Sequence, residues 1–167
     1  MIAKSYILSN LKTLDSRYRK ATTPKDAKFV SKLAILELCG WIEESMDDIV
    51  MRCAIRHLKE QKNRKYCRDE IVKRTYGFDY ESNFRSMLIR LLGLIAVEKI
   101  EQQVNVGLRD AMTAALGTLK TQRNTEAHTH LKGSTRLINA PSVTITQFQP
   151  VYAGLDDFDR TIRAGHW

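Results

Sequence analysis

Proline stands only at positions 24, 141 and 150, and strand-like alternation of apolar and polar residues is nearly absent. A proline inside an α-helix removes a backbone hydrogen bond and clashes with the preceding turn. Its absence from the middle of the chain therefore leaves room for long helices, and the apolar residues follow a helical period. Phe29, Leu33, Leu36, Trp41, Met46, Ile49, Cys53 and Leu58 keep one side turned the same way. The helix that carries them is expected from Pro24 to about Glu60. Thr23 has the residue type of an N-cap, Pro24 suits the first helical position, and Asp26 falls in the first turn.

The same reading organises the rest. Ile2, Tyr6, Leu8, Leu11, Leu14 and Tyr18 predict a first helix over 2–20, and Gly40 is a place where the long second helix could bend. A shorter helix over 64–76 is expected to stop at a Gly77 C-cap. Ser82 would cap the next, through Gln103, whose Phe84, Met87, Leu88, Leu91, Leu92, Ile95 and Val97 leave it apolar nearly all round. Such a helix belongs at the centre of a bundle. Asn105, Val106 and Gly107 break the chain, and 108–119 is helical again. Residues 132–141 read as a loop, 143–145 as a short extended piece, and Thr146 to Gln149 as a capping box, with Pro150 tolerated early in a final helix carrying Val151, Leu155, Phe158 and Ile162. The fold class expected is all-α, a bundle of five to six helices in one domain spanning 1–167, with one long helix in the N-terminal half.

Nothing at the N-terminus reads as a signal peptide. The longest apolar run, Leu91 to Val97, is interrupted by Gly93 and too short for a bilayer. A cytoplasmic protein without membrane association is expected. Cys39, Cys53 and Cys67 lie 14 residues apart with no C-x-x-C pair, which argues for buried, inert thiols over a disulfide or zinc framework. The net charge is +8, and the segment Arg52 to Arg74 holds nine Lys or Arg residues against Glu60, Asp69 and Glu70. This block is either a solvated helix face or a surface for a polyanion, most naturally nucleic acid, with Arg56, Lys59, Lys62, Arg64 and Lys65 as the RNA-binding candidates. Tyr66 and Tyr76 are interleaved with it and have rings able to stack on bases.

The stretch Gln122 to His130, QRNTEAHTH, has no role in a helical core. Arginine is a planar cationic fork that matches phosphate, histidine transfers protons near neutrality, and asparagine can hold either. Glu126, His128 and His130 alternate, a spacing that converges on a strand and not on a helix, so no metal cage is expected. The set suits phosphate chemistry without a metal or other cofactor. On a helix Asn124 and His128 share a face, whereas Arg123 and His128 are separated by roughly 140°. Either the helix breaks between them or a second copy of the motif completes the site. The plainer alternative is an Arg123–Glu126 ion pair with His128 merely ending a helix. The pairs Glu43-Glu44 and Asp47-Asp48 read as a solvated acidic stripe that could meet the basic segment.

R-N-x-x-A-H over Arg123 to His128, entered from an apolar helix and placed shortly before a last one, resembles the motif of the HEPN superfamily. Within it the chain looks most like small stand-alone prokaryotic members near the RiboL-PSP-HEPN group, over about 26–163. The resemblance implies a homodimer with two R-x4–6-H motifs meeting in a cleft, and metal-independent endoribonuclease activity in which the 2′-hydroxyl of RNA attacks the adjacent phosphorus. It carries Arg123, Asn124 and His128 over as catalytic residues. Thr129 stands where glycine is common. It further implies a toxin or phage-defence effector with an antitoxin or regulatory protein as partner. The alternative from the same superfamily is a non-catalytic module binding RNA or nucleotide, or a helical adaptor in a defence complex.

Overall fold

The computed structural model describes residues 2–128 and 138–165. These form seven α-helices and no strand: α1 (Ser5–Arg19), α2 (Pro24–His57), α3 (Gln61–Tyr66), α4 (Ser86–Leu92), α5 (Leu94–Gln103), α6 (Val106–His128) and α7 (Pro141–Ala164). Two wider, π-helical stretches, Cys67–Val72 and Tyr80–Arg85, lead out of α3 and into α4. Their i→i+5 bonds include Lys73 N–H to the Arg68 carbonyl at 3.0 Å and Phe84 N–H to the Asp79 carbonyl at 3.1 Å. None of the seven helices is long and apolar enough to cross a membrane.

α2 starts as its sequence dictates. Thr23 is extended, its hydroxyl accepts the Asp26 N–H at 3.1 Å, and Pro24 takes the first position. The helix runs unbroken past Gly40 to His57. It buries Ile35, Leu38, Ile42, Met46, Ile49, Val50 and Cys53 against α1, α6 and α7. Those four helices make the main body, and α3 to α5 lie against the second half of α2 and against α7.

The centre is α7, not the 82–103 segment. Phe148, Val151, Leu155, Phe158 and Ile162 recur at three and four residues and are all buried. Phe148 packs on Trp41 at 5.1 Å between ring centres, and Phe158 on Tyr80 and Phe84 at 5.6 and 5.5 Å. The 82–103 segment is two helices. Gly93, with φ +86°, turns the chain between them, a backbone that side-chain-bearing residues rarely adopt. Leu94 and Ile95 then emerge 55% and 76% exposed.

Other sequence expectations shift for local reasons. Asp79 caps the turn into α4 in place of Ser82, accepting the Ser82 N–H at 2.9 Å. The helical run after α3 ends at Val72, so Gly77 is no C-cap. It sits with φ +106° in a turn held by Asn83, which donates to the Tyr76 carbonyl and accepts the Asp79 N–H. The last helix begins at Pro141 and takes in both the expected extended piece and the expected capping box, so Pro150 lies in its interior. A proline in the first turn costs no intrahelical hydrogen bond, whereas Pro150, the tenth residue of the helix, removes one. The loop expected over 132–141 lies outside the described residues up to 137. Gly154 lets α7 approach α6, since a Cβ there would meet the Met112 Cβ at 2.5 Å.

Candidate functional site

α6 begins after Asn105, whose side chain accepts the Leu108 N–H at 3.1 Å. Met112, Leu116 and Leu119 are buried on its core side. The helix continues through Arg123 and Asn124 to His128, so no break falls between Arg123 and His128. The side chain of His128, with Thr129 and His130, lies outside the described residues.

Arg123 is held from three directions. Its Nη2 donates to Glu43 Oε1 of α2 at 2.6 Å, and its Nη1 reaches Asn124 Oδ1 at 3.4 Å. Its guanidinium carbon lies 5.5 Å from the ring centre of Phe78. The Arg123 and Glu43 side chains are 31% and 38% exposed, so the pair opens to solvent on one side. Arg123 thus bonds across to α2, and Glu126, three residues on, is buried. Beside the pair, burial pushes the Cys39 thiol up to about 12, with Arg123 opposing and Glu43 adding. A thiol so placed is inert near neutrality. All three cysteines are free and buried.

The acidic stripe on α2 divides. Glu43 serves Arg123, while Asp48 lies 3.6 Å from Arg52, the first residue of the basic block. Asp47, one turn beyond Glu43, is pushed from 3.8 up to about 6, first by burial and then by Glu43, Asp48 and Glu44. Among the described residues no group of three or more His, Cys, Asp or Glu side chains is arranged to hold a metal ion.

The basic block also divides. Arg52 pairs with the buried Asp159 at 3.1 Å, Lys73 with Asp69 at 3.0 Å and Arg74 with Glu70 at 3.0 Å. Of the five RNA-binding candidates, Arg56 donates to the Arg163 carbonyl at 3.1 Å, and Arg64 turns its Nε back to the Leu58 carbonyl at 2.7 Å. Lys59, Lys62 and Lys65 are exposed. Tyr66 and Tyr76 are 59% and 86% exposed.

A third polar cluster was not foreseen. Tyr80 donates to Glu101 at 2.6 Å and Arg85 clasps the same carboxylate at 2.8 and 3.3 Å. Burial works to raise Glu101, yet its bonds to Arg85 and Tyr80 outweigh that and hold it below the ordinary carboxylate value. This bidentate pair ties α5 to the π-helical stretch before α4.

Sequence spacing brought out Arg123 and Asn124. It missed Glu43 and Phe78 as their neighbours, because both arrive from distant parts of the chain. The one available signal was the acidic i,i+4 pattern on α2, which marks a charged face without naming its partner. No protein-family model, curated protein or solved structure matches the chain.

Proposed function

We propose that the protein is a HEPN-type, metal-independent endoribonuclease whose site is completed by a second copy of the chain. The observation that carries the reading is the setting of Arg123, a partly exposed guanidinium fixed by Glu43, Asn124 and the Phe78 ring. A solvated helix face needs no such triple restraint. On one uninterrupted helix, positions 123 and 128 diverge by roughly 140°, so an arginine and a histidine from facing copies supply what one copy splays apart.

In the proposed reaction the ribose 2′-hydroxyl loses its proton to one His128 and attacks the adjacent phosphorus. The bond to the 5′-oxygen breaks, and that oxygen leaves with a proton from the facing His128. Arg123 stabilises the charge that grows on the phosphoryl oxygens. The products are a 2′,3′-cyclic phosphate, open to hydrolysis to the 3′-phosphate, and a 5′-hydroxyl. Asn124 positions Arg123. The biological role that fits is a toxin or phage-defence effector restrained by an antitoxin or regulatory protein.

A second reading, a helical module that binds RNA without cutting it or serves as an adaptor in a defence complex, is favoured by one feature: within a single chain Glu43 already occupies one arm of Arg123. Incubation of the purified protein with total RNA in EDTA, beside His128→Ala, decides between them. The enzyme reading expects metal-free cleavage that falls by about 10² to 10⁴-fold in the variant. Equal cleavage by both proteins, or none by either, favours the second reading.

A further inference from the structure

The α2–α3 junction forms an open groove of about 630 Å³ lined by Met51, Ile55, Gln61, Lys62, Arg64, Lys65 and Arg68. Its size falls in the range of small-ligand sites, about 300–1,000 Å³. Met51 and Ile55 stand one turn apart on α2, so they share a face. Ile55 is 52% exposed, an apolar surface that the core does not use. Four of the lining residues are cationic and none is acidic.

The cations of the basic block are not equivalent. Arg52, Lys73 and Arg74 are each balanced by a carboxylate at 3.1 Å or less. In the groove, among the described residues, only Arg68 has one, Asp69 at 3.3 Å. Arg64 spends its Nε on a backbone carbonyl, which keeps its charge and fixes its place. Among the described residues, three of the five cations of the block that have no carboxylate partner, Lys62, Arg64 and Lys65, therefore lie where the apolar floor is open.

Resting on the RNA-directed reading above, we propose that this groove binds a single-stranded segment of RNA, one base lying on Met51 and Ile55 and the flanking phosphates on Lys62, Lys65, Arg64 and Arg68. An A-form duplex keeps its bases stacked inside and offers nothing to an apolar floor. An unpaired strand offers a base face and phosphates together, the pattern of single-strand sites. The proposal separates the five basic candidates: Lys62, Arg64 and Lys65 line the groove, while Arg56 and Lys59 do not.

The test is fluorescence anisotropy with a labelled single-stranded RNA and with the same sequence as a duplex, over a range of salt, in EDTA and with His128→Ala in the background so that the probe stays whole. Three variants of that protein are compared with it: Lys62→Gln with Lys65→Gln, Ile55→Ser, and, as a charge-matched control, Lys73→Gln with Arg74→Gln. The groove pair should weaken single-strand binding and lower the salt slope by about 1.4, about 0.7 for each lost phosphate contact. Ile55→Ser should weaken it roughly fivefold with the slope unchanged, since only apolar contact is removed. The control pair should change little. Equal losses from the groove and control pairs, equal affinity for the duplex, or no effect of Ile55→Ser would overturn the groove. So would tighter groove-dependent binding of a labelled acidic peptide than of the single-stranded RNA. Its fate is separate from that of the cleavage reading: groove-dependent binding by a parent that cuts no RNA leaves the groove standing and removes the nuclease, and cleavage with groove-independent affinity does the reverse.

Discussion

Replacing Asp47 by asparagine should stabilise the protein at neutral and alkaline pH, although it removes a charged residue next to the candidate site. Asp47 sits partly buried between Glu43, Glu44 and Asp48, and no hydrogen bond to its carboxylate is present among the described residues. Folding therefore raises its pKa from 3.8 to about 6. The folded state binds that proton more tightly than the unfolded one, so the contribution is fully present below about pH 3.8 and is lost as pH rises through about 6. At about 1.4 kcal/mol per pH unit the span corresponds to about 3 kcal/mol, and solvent screening of a partly exposed group reduces it to about 1.5 kcal/mol. Asparagine keeps the shape, discards the charge and has a similar helix propensity. Urea unfolding of Asp47→Asn and parent at pH 8 and pH 4 reads the effect. The variant should be more stable by about 1.5 kcal/mol at pH 8, or about 3–6 °C in Tm, and nearly equal to the parent at pH 4. A variant that is less stable at pH 8, or shifted by the same amount at both pH values, refutes the reasoning.

Glu43→Gln should cost about 1 kcal/mol through loss of the Arg123 ion pair, and it should also bring the Asp47 transition below about 6, because Glu43 acts on it most strongly of the three like charges; pH-dependent unfolding reads both. Gly154→Ala should lower stability by about 1–3 kcal/mol, since its Cβ has no room beside Met112, and a thermal melt is sufficient to see it. Light scattering after size exclusion should give twice the chain mass, and a cross-link placed near Arg123 should join two copies if the facing-motif arrangement is right; a strict monomer would remove it.

Local chemistry was what the sequence made legible. Thr23, Pro24 and Asp26 act within one turn of one another, and the start of α2 followed from them alone. The stripe Val151, Leu155, Phe158 and Ile162 was equally local. The failures have a common cause. Gly93 separates two helices because the chain must change direction there, and the apolar residues on either side read as one continuous helix. Their density suggested the centre of the bundle, yet Ile95 faces outward while α7 takes the core, since burial depends on which helices meet. The last helix was expected to start at the capping box before Pro150, with Pro141 closing a loop, whereas it starts at Pro141, which the local letters alone do not reveal. In the candidate site Arg123 and Asn124 were visible as adjacent letters. Glu43 is 80 residues from Arg123 in sequence, and nothing in either neighbourhood shows that α2 and α6 pack side by side. The basic block was visible as charge, but the division into paired residues and groove-lining residues needs the positions of Asp69, Glu70 and Asp159.

The central claim, cleavage of RNA by its own 2′-hydroxyl, is tested most directly with one short RNA that the protein cuts at a defined bond, remade with a single 2′-deoxyribose on the 5′ side of that bond. The reading predicts that in EDTA the all-ribose strand yields a 2′,3′-cyclic phosphate and a 5′-hydroxyl, and that the single deoxy substitution abolishes cutting at that bond while leaving binding unchanged. Undiminished cutting of the deoxy-substituted bond, or products carrying a 5′-phosphate, would contradict it.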